Sequence, residues 1–135
     1  MKVEPLLTDF GLGLPYGTKN HHRRKKMREE KARLISKHRQ FELVCRWLSG
    51  IEKTESINSR HTSYFLKHIA ERGCEIGHIS NGVFIAAAIY CGFNYKTAKN
   101  HPNVVFNMSQ ASIQEKYADS LQCNKYSSKA LALIH

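Results

Sequence analysis

The chain has 135 residues, with 21 Lys/Arg against 11 Asp/Glu and a net charge of +10 at neutral pH. That length suits one domain and leaves no room for two ordinary ones, and 41% apolar with 24% charged residues excludes a chain that is disordered throughout. No stretch approaches the ~20 apolar residues of a membrane span, and the longest, VFIAAAIYCGF, has about half of that.

The charge is unevenly placed. Residues 1–40 hold eleven Lys/Arg and four Asp/Glu, whereas 41–135 hold ten and seven. Such asymmetry points to a nucleic acid, an anionic membrane surface or an acidic protein as partner. The four cysteines (Cys45, Cys74, Cys91, Cys123) show no CxxC spacing. The first twenty residues contain no apolar run of export-signal length, so the expected setting is a reducing cytoplasm.

In chain order, residues 1–21 are rich in Gly and Pro, lack a period and predict an irregular arm. Leu6, Leu7, Phe10, Leu12 and Leu14 are too apolar for a free tail, so part of the arm should dock on the body. GLGLPYGTK (Gly11–Lys19) has the glycines of a phosphate loop, but not the Gly-Lys-Ser/Thr order that follows a buried strand, and predicts turns.

Residues 22–50 predict one long basic helix. Met27, Leu34, Phe41 and Leu48 fall seven apart, joined by Ile35, Val44, Cys45 and Trp47, and Gly50 is a stop. The apolar stripe is thin at first and thick later. The second half should therefore be core, and the first half should project into water.

Residues 51–135 predict a helical core with one small hairpin. A helix over Thr62–Arg72 places Phe65, Leu66, Ile69 and Ala70 on one arc, with Arg60, Tyr64, Lys67, His68 and Glu71 on the other. The next helix opens at Ser80 or Asn81 and ends at Gly92, with Phe93 placed for the contact that follows a glycine cap. It is apolar all round and should be the buried centre. GFNYKTA and NVVFNM predict paired strands. Ser112 and Glu115 have the spacing of a capping box for a last helix through about Leu121, and SSKALALI predicts a short terminal one. The fold class expected is mostly α, or α+β with one hairpin. It is a single domain with the long basic helix packed on a buried central helix.

The segments SYFLKHIAE, ISNGVFIAAAIYCGFNY and PNVVFNMS, covering roughly half of the chain, resemble a pattern in short proteins of bacterial phages, plasmids and genomic islands. Those proteins have no established activity. The resemblance implies a mobile-element setting and nothing about chemistry.

The chemistry offered is mainly cationic. Arg23, Arg24, Lys25, Lys26 and Arg28 lie within six residues, followed by Lys31, Arg33, Lys37 and Arg39. Such a row neutralises phosphates and releases their counterions. An acidic protein surface is the alternative partner, and a merely solvated helix face is the plain reading. Membrane binding is not expected, because the basic half lacks a bulky apolar face. Arg60, Tyr64, Lys67 and His68 form a second candidate contact, in which cations hold phosphate while a ring stacks on a base. In the plain version Thr62 caps the helix, and Lys67 and Glu71 face water.

Adjacent helices invite comparison with helix-turn-helix. The second helix would be NGVFIAAAIYCGF, which has no polar side chains to read base edges along its length, so that reading is rejected. His61, His68, Cys74 and His78 carry zinc-type donors without zinc-site spacing. Cys74 with His78 makes a thin case for a thiol nucleophile. The acids beyond residue 40 are scattered, which argues against an acid/base or metal-dependent enzyme. The expectation is a non-catalytic binding protein with no cofactor, for DNA or RNA, of undetermined oligomeric state.

Overall fold

A computed structural model describes residues 6–15, 18–74, 77–97 and 101–134; for positions 20, 74 and 123–134 it describes the backbone course only. The architecture is α+β, with a larger strand component than the single hairpin expected. Strands β1 (Leu7–Thr8) and β2 (Gly11–Leu12) form a small antiparallel ribbon in the arm. After a 3-10 turn at Asn20–His22 come helices α1 (Arg23–Ser36) and α2 (His38–Leu48). Strand β3 (Lys53–Asn58), helices α3 (Ser63–Cys74) and α4 (Asn81–Tyr90), strands β4 (Tyr95–Thr97) and β5 (Val104–Met108), and helix α5 (Gln110–Ile134) complete the order.

Helix α4 is the centre, as its composition demanded. Residues Asn81 to Ala88 are all buried. Ser80 caps it, its hydroxyl accepting from the Val83 amide at 3.1 Å. At the far end the Phe93 amide donates to the Ala88 carbonyl and the Gly92 amide to Ile89, with Gly92 at φ +89. This is the paired 6→1 and 5→2 closure for which a glycine is required. Trp47 of α2 meets Phe84 edge-on at 6.1 Å, and Phe84 meets Phe106 of β5 in the same manner. One aromatic chain thus ties helix, helix and sheet.

The long basic helix is two helices. Lys37 leaves helical geometry (φ −93, ψ 43) and separates α1 from α2. The physical reason lies on both sides of the break. Ser36 turns its hydroxyl back onto the Arg33 carbonyl at 2.7 Å, and Lys37 reaches across to the Asp9 carboxylate of the arm. Only α2 packs on α4, burying Val44, Trp47 and Leu48. Helix α1 lies instead on the arm: Lys31 Nζ donates to the Leu7 carbonyl at 3.2 Å, and Glu30 is buried. The expectation that α1 projects freely into water is corrected. Its inner side is docked through Leu34, which packs against the core, and through polar contacts that an apolar period does not register.

The arm is bound to the core. Leu7, Thr8 and Leu12 are buried, and the Thr8 hydroxyl closes the ribbon onto the Gly11 and Gly13 carbonyls. Gly82 of α4 donates its amide to the Asp9 carbonyl, and a side chain there would overlap the Thr8 carbonyl. Asn81 Nδ2 reaches Asn103 Oδ1 at 2.8 Å and the Pro102 and Phe10 carbonyls at 3.3 and 3.4 Å. The glycine-rich segment is therefore turn chemistry up to Leu14, and Gly17 lies outside the described residues.

The expected hairpin is present, β4 pairing antiparallel with β5, and β3 adds a third strand in the order β3-β5-β4. KTESIN has neither apolar alternation nor burial, so no sequence period announces it. Its register slips between Lys53 and Asn58. Side-chain clips hold it: Asn107 Nδ2 donates to the Thr54 carbonyl at 2.9 Å, and Asn58 Nδ2 to the Met108 carbonyl and to Gln110 Oε1.

Helix α5 starts two residues before the predicted cap. Ser109 supplies the capping hydroxyl, accepting from the Ser112 amide at 3.3 Å, while Ser112 is buried and accepts from the Glu52 amide. Ser109 lacks the partner residue of a capping box, and Ser112–Glu115 imitates one. The separate terminal helix expected over SSKALALI falls within the continuous course of α5.

Candidate nucleic-acid interface

The nine cations of the basic run divide into two sets. Four are engaged within the chain. Lys26 and Arg33 reach Glu30 Oε1 at 3.4 and 3.1 Å, Lys31 holds the arm backbone, and Lys37 pairs with Asp9. All four were expected to meet phosphate; in the structure Lys31 and Lys37 tie α1 to the arm, while Lys26 and Arg33 pair within α1 on Glu30. Helical spacing explains the two intrahelical pairs, because Lys26 and Arg33 stand four residues before and three after Glu30.

The other five, Arg23, Arg24, Lys25, Arg28 and Arg39, are exposed and have no acidic partner among the described residues. Arg23, Arg24 and Arg28, together with Leu14 and Met27, line an open cavity of about 600 Å³.

The second candidate contact is reorganised more deeply. Lys67, assigned to a solvent-facing arc, is 3% exposed. Its ammonium lies 3.0 Å from Glu71 Oε1 and 4.8 Å from the Tyr64 ring centre. Its side chain is therefore buried rather than solvent-facing. Glu71 is the hub of this knot: Oε1 accepts from the Ile79 amide at 2.9 Å, and Oε2 lies 3.1 Å from His68 Nδ1. His78 Nδ1 lies 3.5 Å from Oε1. Partial burial pushes the Glu71 carboxyl up, but the Ile79 amide, Lys67 and His68 outweigh it and hold it below its ordinary value. Arg60 and Tyr64 remain exposed, and His68 is half-buried.

In exchange, a ring assigned to the apolar arc comes to the surface. Phe65 is 39% exposed and stacks on His61. Sequence arcs misplaced both residues because the helix is rotated by about one position from the apolar optimum. Buried Ser63, whose hydroxyl accepts from the Val104 amide of β5, fixes that rotation.

The alternative chemistries fare as follows. Cys74's side chain lies outside the described residues, so the thiol-nucleophile and zinc readings that include it are only partly visible. Among the described residues no group of three or more His, Cys, Asp or Glu side chains is placed to hold a metal. Cys45 and Cys91 are half-buried, not fully buried as small hydrophobes would be, and burial together with the neighbouring Cys91 pushes the Cys45 thiol up to about 12. A thiol so raised is not a nucleophile at neutral pH. Among the described residues no helix is long and apolar enough to cross a membrane.

No protein-family model, curated protein or solved structure matches the chain.

Proposed function

We propose that this chain is a small nucleic-acid-binding protein that acts without catalysis or cofactor and is governed by phosphate contacts. The observation that carries the reading is the set of five exposed cations, Arg23, Arg24, Lys25, Arg28 and Arg39, that have no acidic partner among the described residues. Charges held on a docked helix lose little freedom on binding, so their attraction to a polyanion is spent less on ordering. Arg23, Arg24 and Arg28 share the lining of one open cavity with Leu14 and Met27, which offers a phosphate group three cations in one place. The resemblance to proteins of phages, plasmids and genomic islands favours a regulator or accessory factor in a bacterial cytoplasm.

The test is a salt-titrated mobility shift on duplex DNA, single-stranded DNA and RNA side by side. The reading expects binding at low salt and a log–log slope near −0.9 for each duplex phosphate contacted. Absence of binding at low salt would sink it. A stoichiometric protein companion that resists nuclease would instead favour an acidic protein surface as the target of the same cations.

A further inference from the structure

Four rings at the start of α3 do nothing for the core. Tyr64 and His68 stand four apart on one side of α3 with Phe65 beside them, and His61 precedes the helix by two residues. His61 stacks on Phe65 with centroids 4.8 Å apart, and Tyr64 meets His68 edge-on at 4.5 Å. Leu66, Lys67, Ile69 and Ala70 occupy the inner side. Tyr64 is 51% exposed and Phe65 39%.

This group of rings is also prearranged. The Phe65 amide donates to the Thr62 hydroxyl, His68 is oriented by Glu71, and the Lys67 ammonium lies under the Tyr64 ring. Its electrostatic border is positive. Arg60 and Arg72 are exposed at its two ends, and Glu71, the only carboxylate of α3, is taken up by Lys67, His68 and the Ile79 amide.

The exposed rings of Tyr64 and Phe65, with Arg60 and Arg72 to either side, complement a ligand with both π faces and negative charge. Duplex DNA has the charge but hides its base faces in the stack. An acidic peptide has the charge but few flat groups. A single strand offers both at a regular spacing. We propose that Tyr64 and Phe65, backed by His68 and His61, stack on unpaired bases of a single-stranded nucleic acid, with Arg60 meeting an adjacent phosphate. This deepens the nucleic-acid reading and rests on it, by naming the unpaired strand as the substrate class.

The experiment compares anisotropy titrations of labelled oligodeoxythymidine and an abasic strand of the same length at one salt concentration. The phosphates are equal in number, so only the bases differ. The base-bearing strand should bind about tenfold tighter. Tyr64→Leu/Phe65→Leu, which keeps bulk at exposed positions, should abolish that preference while leaving affinity for the abasic strand unchanged. Tyr64→Phe should retain it. Equal affinity of the wild-type protein for the two strands overturns the stacking proposal and leaves phosphate binding standing, and this comparison decides the matter even if the double variant fails to fold. Binding of neither strand at low salt overturns both readings. A glutamate–tyrosine copolymer that binds as tightly as oligodeoxythymidine, and is lost with the same double variant, overturns the proposal in favour of an acidic protein.

Discussion

Lys67 keeps its ammonium 3.0 Å from Glu71, one turn along the same helix, where the lysine side chain is 4% exposed and the glutamate 17%. Such a pair is costly to break from one side, because the remaining charge stays buried without compensation. Glu71→Ala should destabilise the fold by about 3 kcal/mol or more. Lys67→Met should cost less, since the carboxylate retains the Ile79 amide and His68. Urea unfolding of the two variants measures the difference; equal losses would mean that the pair does not act as described.

The same carboxylate sets an acid limit. Glu71 is held below its ordinary value of 4.5, so it binds a proton more readily unfolded than folded. Its stabilising contribution is complete above that value and is lost as the pH falls through the depressed folded value. Melting temperatures taken from pH 6 downward should therefore fall more steeply for the wild type than for Glu71→Gln. Parallel curves would exclude Glu71 as the source.

The division of the basic run makes a contrast that composition alone does not. Arg23→Ala, Arg24→Ala, Lys25→Ala and Arg28→Ala together should reduce the salt slope on duplex by up to about 3.6, at ~0.9 for each lost contact, with little change in stability. Lys26→Ala, Lys31→Ala and Lys37→Ala together should do the reverse, lowering the melting temperature and sparing the slope. Equal slope changes in the two sets would show that the internal partners do not hold.

Docking of the arm depends on a glycine. At Gly82 a methyl group would overlap the Thr8 backbone, which no side-chain rotation relieves. Gly82→Ala should displace the arm, exposing Leu7 and Leu12 and releasing the Lys31 and Lys37 contacts of α1. Limited proteolysis within the first twenty residues should speed up markedly, with a loss on the order of 2 kcal/mol from the uncovered leucines. An unchanged cleavage rate would mean that the arm is held elsewhere.

Much of the fold was legible because it obeys local rules. Ser80, Gly92 and Phe93 delimit α4 by capping chemistry confined to a few neighbours, and its apolar composition permitted only a buried position. Strand β5 followed from its β-branched and aromatic run, and the concentration of charge in residues 22–40 from counting. What escaped depends on partners distant in the chain. Strand β3 is held by amide side chains some fifty residues away, and the break at Lys37 answers to Asp9 in the arm. The rotation of α3 answers to Val104, which is why Lys67 went inside and Phe65 came out. The sequence by itself determined how much positive charge this protein carries and roughly where along the chain. Only the tertiary structure decided which cations are paired internally and which stay exposed without an acidic partner among the described residues, because a charge is cancelled by proximity in space, and that proximity is created by folding.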